Sequence, residues 1–233
     1  MSGVRVLAAA FVIVAALATP QAAHAAGGPV AIWAMNEASR ARVMVDSSGH
    51  RLHGAIGREV RTGVGVGGAT AYRFQRLRPN TPPARPEHLV LVPDSALLDP
   101  GTRDYAVTIR IRTTHSFGNI IQKGQATVAG GFFKFQIPSG VVQCLFRGSA
   151  GTVEVTANRR INDGRWHTVR CERTRAGVTL IIDGRLAGWR AGATGMIANN
   201  WPLSIGGKLS CDQIRVTCDY YPGDIDRVQI DAG

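Results

Sequence analysis

Asn162-Asp163-Gly164-Arg165-Trp166-His167 opens an alternating stretch that runs on to Glu172, and a second Asp-Gly, Asp183-Gly184, ends the stretch that follows. Asp-Gly supplies a turn whose glycine tolerates positive φ, and alternation after such a turn marks a half-buried strand. His167, Val169 and Cys171 share one face, while Trp166, Thr168 and Arg170 share the other. After Ala176-Gly177 the pattern resumes, with Val178, Leu180 and Ile182 on one side and Thr179 and Ile181 on the other. The spacing predicts two antiparallel strands punctuated by Asp-Gly turns.

Outward from this pair, almost every patterned stretch has period two and helical periodicity is nearly absent. The expected strands are 30–35, 71–74, 89–92, 105–112, 120–123, 132–137, 141–147, 152–156, 166–172, 178–182, 203–205 and 226–230, separated by Gly and Pro clusters. The clearest sets Tyr105, Val107, Ile109 and Ile111 against Ala106, Thr108, Arg110 and Arg112. Strands with one apolar face bury it by packing sheet on sheet, so the fold class is all-β, a two-sheet antiparallel β-sandwich. The proline-rich segment 76–87 reads as an exposed loop, since the stretch before it is too short to be a domain.

The first 25 residues carry Arg5, an apolar run from Val6 to Ala18, and the small-residue sequence Ala23-His24-Ala25. That is the pattern of a secretory signal peptide cleaved after Ala25, leaving one domain over 26–233. The apolar run is shorter than a bilayer span, and no later stretch competes, so no integral membrane segment is expected in the mature chain. Secretion makes the four cysteines readable as two disulfides. Cys144 has the parity of Val142 and Phe146, and Cys171 that of Val169, so both thiols face the interior and are paired here as Cys144–Cys171. Cys211–Cys218 is then the second bridge, with residues 212–217 a loop, because an extended span would part the ends by about 23 Å. No Cys-x-x-Cys pair or histidine cluster suggests a metal-binding role for them.

The chain has a net charge of +11, which favours polyanionic partners. Arginine outnumbers lysine 24 to 3 and is scattered from Arg40 to Arg227 without aromatic interleaving, so nucleic acid is not an expected partner. Arg110 and Arg112, side by side on the polar face of the clearest strand, are the candidate contacts to acidic glycans or wall polymers. Trp189 and Trp201 lie in Gly-rich or Pro-flanked segments that read as loops, where an exposed ring can stack on a sugar. Trp166 reads either as a rim ring stacking on a sugar or, as turn-adjacent tryptophans in sandwiches more often do, as cover for the sheet edge, and His167 reads as a packed strand histidine with no catalytic partner in view.

Trp33-Ala34-Met35-Asn36-Glu37, Asp46-Ser47-Ser48-Gly49, His53-Gly54, Tyr72-Arg73-Phe74 and the strand Leu89 to Val92 entering Pro93-Asp94-Ser95 extend the pattern toward the N-terminus. Gly223-Asp224-Ile225-Asp226-Arg227-Val228 closes it. In this order, with the Asp-Gly pair, these segments make the chain resemble laminin G-like, or concanavalin A-like, jelly-roll domains over nearly its whole mature length. The resemblance implies two curved antiparallel sheets with ligands held on a concave face or at rim loops, and it is shared by lectins, adhesion modules and glycosidases. It also implies a structural Ca²⁺ joining the N-terminal segment to the last strand. Asp226 has the parity of Val228 and Ile230, which would aim a carboxylate inward, so Glu37, Asp46 and Asp226 are the candidate oxygen ligands, with a turn-capping role as the alternative.

Glycan hydrolysis requires two placed carboxylates. The five glutamates, Glu37, Glu59, Glu87, Glu154 and Glu172, do not form the Glu-x-Asp-x-x-Glu arrangement of concanavalin-like hydrolases, and Glu154 and Glu172 read as ion-paired surface residues. Serine-hydrolase and histidine metal motifs are absent. The expectation is a secreted, non-catalytic domain that binds an extracellular carbohydrate or cell-wall polymer. A protein-binding adhesion module with a surface-protein partner is the alternative, and a glycoside hydrolase a more distant one.

Overall fold

The computed structural model describes residues 28–77, 84–211 and 218–233. The expected signal peptide and the 212–217 loop lie outside the described residues. Sixteen strands follow one another: β1 (Pro29–Trp33), β2 (Val43–Met44), β3 (Gly54–Ile56), β4 (Arg61–Val66), β5 (Ala69–Phe74), β6 (Val90–Val92), β7 (Tyr105–Arg112) and β8 (Gly118–Lys123). The second half adds β9 (Phe132–Ile137), β10 (Val141–Gly148), β11 (Gly151–Arg160), β12 (Trp166–Arg173), β13 (Gly177–Ile182), β14 (Arg185–Ala191), β15 (Leu203–Ile205) and β16 (Gly223–Ala232). They form two antiparallel sheets of eight strands. One runs β14-β13-β12-β7-β16-β5-β4 with β1 also on β16; the other runs β11-β10-β9-β8-β15-β6-β3-β2. This is the expected β-sandwich.

The inner faces follow from parity. Val107, Ile109 and Ile111 of β7, Val169 and Cys171 of β12, and Leu180 and Ile182 of β13 are buried from one sheet. Phe133 and Phe135 of β9 and Val142, Cys144 and Phe146 of β10 meet them from the other. Phe133 stacks on Phe146 with centroids 5.9 Å apart, and Tyr105 reaches across to Phe133 at 5.4 Å. Offset aromatic contacts of this kind add to the area term that dominates such a core. Cys144–Cys171 joins the sheets through it, with Cα atoms 6.3 Å apart, and Cys211–Cys218 is the second bridge. Its two cysteines belong to a second, small cluster with Leu77, Leu89, Leu91 and Tyr220.

Two buried cations hold the loops at one end. The Lys123 ammonium, fully buried at the end of β8, donates to Asp94 Oδ1 at 2.8 Å, Asp99 Oδ1 at 2.7 Å and the Asn199 carbonyl at 2.7 Å. Three acceptors satisfy all three N–H groups of a charge that would otherwise be prohibitive to bury. Arg173, at the matching end of β12, donates to the carbonyls of Gly101 and Gly195.

The structure departs from sequence expectation in three places. Segment 43–66 contains three strands, two of which carry too few residues to show alternation, while the third, Arg61–Val66, is broken by a register shift before Val64. Arg185–Ala191 is an edge strand, not a loop. Asp183 and Gly184 both adopt positive φ, 53° and 73°, and fold β14 back on β13 as a tight hairpin. A bulge opposite Leu180 then breaks the period, so Ala187 is buried while Leu186 and Trp189 both face outward. The third departure concerns Asp226. Ile225 pairs with Ile111 and Val228 with Ile109, so Asp226 and Arg227 together oppose Arg110. This bulge inverts parity, and Asp226 turns outward to pair with Arg110 instead of inward.

Asp46 acts as the cap that the sequence left open as an alternative. Its Oδ1 accepts from the N–H groups of Ile32 at 3.0 Å and Ser48 at 2.9 Å, and its Oδ2 from Leu52 N at 3.0 Å and Ser48 Oγ at 2.8 Å. Burial acts to raise its pKa, but the backbone donors Ile32, Ser48 and Leu52 and the Ser48 hydroxyl outweigh burial and hold it below the ordinary carboxylate value.

Two outcomes follow for stability. Replacing Cys144 and Cys171 together with alanine releases a loop whose ends are 27 residues apart, and unfolding in urea is expected to show a loss of about 3 kcal/mol. Asp46 has a folded pKa below its unfolded one. Its contribution is therefore present in full above about pH 4 and lost as the pH falls through the folded value. Melting curves of Asp46→Asn should show lower stability than the native chain at pH 7, with the gap closing as the medium is acidified below pH 4.

Candidate functional site

The outer face of the first sheet ends in a cleft built by four segments. Arg73, one residue from the end of β5, pairs across strands with Asp224 of β16. Its guanidinium grips both carboxylate oxygens, Nε at 2.7 Å and Nη2 at 3.1 Å. This bidentate fork, with the hydrogen bond to Asp224 as its main term, raises the Arg73 pKa further above its ordinary value. Arg112, at the end of β7, lies on the other side of Asp224, with Nη1 3.6 Å away, and donates from Nε to the Gly164 carbonyl at 2.5 Å. Arg76 follows β5 into solvent and makes no ion pair or hydrogen bond among the described residues.

The walls are fixed from below. Thr113 Oγ1 donates to the Pro222 carbonyl at 2.6 Å and accepts from His115 N at 3.0 Å, which ties the loop after β7 to the entry of β16. Tyr221, fully buried, donates to the Arg112 carbonyl at 3.1 Å. Position 223 must be glycine, because a Cβ there would lie 2.5 Å from that same carbonyl. The resulting cleft, about 260 Å³ in volume, is lined by Arg73, Arg76, Arg112, His115, Gly164 and Asp224, among others. A second hollow of about 210 Å³ continues from it, sharing Arg76, His115 and Pro222 and adding the exposed ring of Phe117. Three guanidiniums therefore face one carboxylate.

The Asn162–Arg165 turn forms part of this wall, and His167 anchors it. The buried imidazole sits between two carboxylates, with Nδ1 2.8 Å from Asp183 Oδ2 and Nε2 3.0 Å from Asp163 Oδ1. Asp163 is held at about 2, first by the Arg165 N–H and also by His167. The partners missing from a strand-parity reading of His167 are thus the two aspartates of the Asp-Gly turns. Gly164, between them, adopts φ 78° and presents its carbonyl to Arg112.

The residues singled out from sequence are not brought together. Arg112 enters the cleft, whereas Arg110 is stacked on Trp166, 4.6 Å from the ring centroid, and paired with Asp226. Trp189 stands on β14, three strands from Arg110 in the sheet order, with 58% of its surface exposed. Trp201 is half-buried in the loop after Asn199, whose Oδ1 accepts from the Trp201 N–H at 2.9 Å. Its indole nitrogen is buried with no partner among the described residues. Glu37 caps Val45 N at 2.8 Å and takes the Tyr72 hydroxyl, so Glu37, Asp46 and Asp226 each answer protein donors. Among the described residues no group of three His, Cys, Asp or Glu side chains is placed to hold a metal ion.

Of the two strand glutamates, Glu172 pairs with Arg170 as expected but is buried, and Glu154 accepts from the Gln143 amide at 2.8 Å instead of pairing with a cation. Asp224 and Arg73 escaped sequence reading because their residue numbers differ by 151. The parity of Gly223-Asp224-Ile225 was the available clue.

The fold recurs in solved structures. Domain 4 of AbnA, a GH43 extracellular arabinanase from Geobacillus stearothermophilus solved with arabinotriose, superposes with a TM-score of 0.62 at 14% identity, covering 89% of this chain and 93% of that one. The mouse laminin α1 chain domains LG4-5 give 0.55 at 21% identity over 74% of this chain. The botulinum neurotoxin serotype D binding domain gives 0.60 at 11% identity over 88%. This chain spans 44% of the laminin structure and 47% of the neurotoxin one. No curated protein sequence matches the chain. Residues 111–233, more than half of the chain, match the model of the laminin G domain. They run from the end of β7 to the C-terminus, through the Asp-Gly turns and the whole of β16, and place the chain in the laminin G domain family.

Proposed function

We propose that the chain is a secreted, non-catalytic module that binds an acidic extracellular glycan or wall polymer in the arginine cleft, after removal of residues 1–25. The observation that carries this reading is the charge of the cleft: Arg73, Arg76 and Arg112 against Asp224 alone, with Arg76 uncommitted among the described residues. A carboxylate-bearing sugar offers the planar acceptor that guanidinium forks match, and the adjoining Phe117 ring offers a surface for the sugar's C–H face. An arabinanase domain of the same fold, solved with an oligosaccharide, supports a carbohydrate as the ligand class. The two disulfides fit an oxidising, extracellular setting.

Catalysis is not part of the reading. Among the described residues, Glu172 and Asp231 share the Arg170 guanidinium, at 2.6 Å and 2.9 Å, as Asp94 and Asp99 share the Lys123 ammonium, at 2.8 Å and 2.7 Å. A hydrolase needs one such group protonated and the other beside a water or sugar carbon, and a common cation between them serves neither role.

Affinity electrophoresis in polygalacturonate tests the proposal. The native chain is expected to be retarded, with retardation falling as salt is raised. Arg76→Gln should weaken binding roughly tenfold without moving the melting temperature, the scale of one lost charged hydrogen bond. Retardation indifferent to both salt and Arg76 would remove the cleft from consideration, and absence of binding to any glycan would favour a protein partner.

A further inference from the structure

We infer that the outer face of the first sheet, at the β14 edge and well apart from the arginine cleft, is a second binding surface that takes the uncharged sugar rings of a polysaccharide, with Trp189 as the stacking platform. Leu186 and Trp189 are the two most exposed large apolar side chains among the described residues, at 66% and 58%. The bulge in β14 puts both on the same face, three residues apart, on a strand fixed by its hairpin. A ring held on a strand is pre-organised, so stacking on it costs little ordering.

What lies beside Trp189 decides the ligand. The register sets two parallel rows across the sheet. One runs Trp189, Thr179, Glu172, Ala106, Asp231, and the other runs Leu186, Ile181, Arg170, Thr108, Gln229. Arg170 links the rows, donating from Nε to Glu172 at 2.6 Å and from Nη1 to Asp231 and Thr108, both at 2.9 Å. Gln229 donates to Asp231 Oδ1 at 2.7 Å and accepts from Arg227 at 2.8 Å. Both carboxylates are paired with Arg170, while Arg227, outside the two rows, donates only to the Gln229 amide. Unlike the cleft, the two rows themselves hold no spare cation for an acidic group. Glu172 and Asp231 are buried, and half-buried Thr179, Thr108 and Gln229 offer fixed hydroxyl and amide groups that suit sugar hydroxyls, on strands spaced about 4.8 Å apart.

A protein partner or a lipid surface would require a contiguous apolar area on the order of hundreds of Å². Here Leu186, Trp189 and half-buried Ile181 supply the apolar part, and the polar rows begin at the next strand. An aromatic ring bordered by ordered polar groups fits a ligand that is itself apolar on one face and hydroxylated at its edges.

The test is affinity electrophoresis of the full chain in mannan, uronate-free xylan and laminarin, each at low and high salt, with tryptophan fluorescence read in parallel. At least one polymer is expected to retard the protein, with no loss on raising salt. Trp189→Ala should weaken that binding about tenfold or more, as loss of an aromatic anchor does, and Trp189→Phe should restore part of it. Both variants should melt with the native chain, since the ring is exposed. Arg76→Gln should leave neutral-polymer binding intact while weakening polygalacturonate binding, so failure of this face and failure of the cleft are read separately. The inference is overturned if none of the three polymers is bound, if Trp189→Ala binds them as the native chain does, or if retardation vanishes with salt and with Arg76→Gln. It is equally overturned if sedimentation shows a native dimer that Trp189→Ala dissociates, because the patch would then join two copies.

Discussion

Each sheet must bury one face, and the only surface available to bury it against is the other sheet. This constraint sets the parity of the inward residues of β7, β9, β10, β12 and β13, and Cys144–Cys171 fastens the two inner faces where β10 meets β12. Phe133, Phe135, Phe146 and Tyr105 fill the space around it, so a shift of one residue in any of these strands would move aromatic or aliphatic side chains into solvent and arginines into the core. The outward residues are therefore specified as a by-product. Arg170, Arg112 and Arg73 lie on the outer face because Val169, Ile111 and Tyr72 or Phe74 do not.

That logic explains how far the sequence can be read. Strands 105–112 and 132–137 are legible to the residue, since their alternation is unbroken and their ends are turns. Both disulfides follow from parity and loop length. The reading stops at bulges. In β16 two residues oppose one, so counting in twos from Val228 back to Asp226 gives the wrong face, and a carboxylate read as inward is paired outside with Arg110. In β14 a bulge at Gly188 and two exposed apolar residues make an edge strand read as a loop. Strands of two or three residues, such as Val43–Met44 and Gly54–Ile56, contain no period at all and are set by their partners. The candidate cleft was half-legible. Arg112 could be placed on the outer face, but Arg73 and Asp224 meet only through the β5–β16 pairing, which no local pattern encodes.

Net charge is a poor guide to where this chain holds positive potential. Most of the arginines on the first sheet are spent within the fold. Arg110 covers Trp166 and pairs with Asp226, Arg170 bridges two carboxylates, and Arg173 is buried against backbone carbonyls, where burial lowers its pKa. Removing any of these would leave its partners short of a donor, so each is held in place by structure whatever the ligand. Arg76 differs because it is exposed beside Arg73 and Arg112 and has no ion pair or hydrogen bond among the described residues. Unsatisfied charge next to a rigid, partly neutralised pair raises the local potential without adding a structural task, and substitution there changes binding with little effect on folding.

The same distinction separates the two ends of the outer face. Toward Arg112 the charges do not cancel and the loops fold up to make a cleft; toward Trp189 both carboxylates are met by Arg170, and Trp189 itself stands exposed. Both depend on the core through the same strands, β7, β12 and β16, yet they share no side chain. The rigid part of the molecule therefore couples their positions without coupling their chemistry. An arginine added at the cleft or an aromatic residue lost from β14 would alter one surface and leave the other in register. In a polymer that alternates charged and uncharged stretches, two such surfaces on one rigid body would act at a fixed separation, and the ordering cost of the second contact would largely have been met by the first.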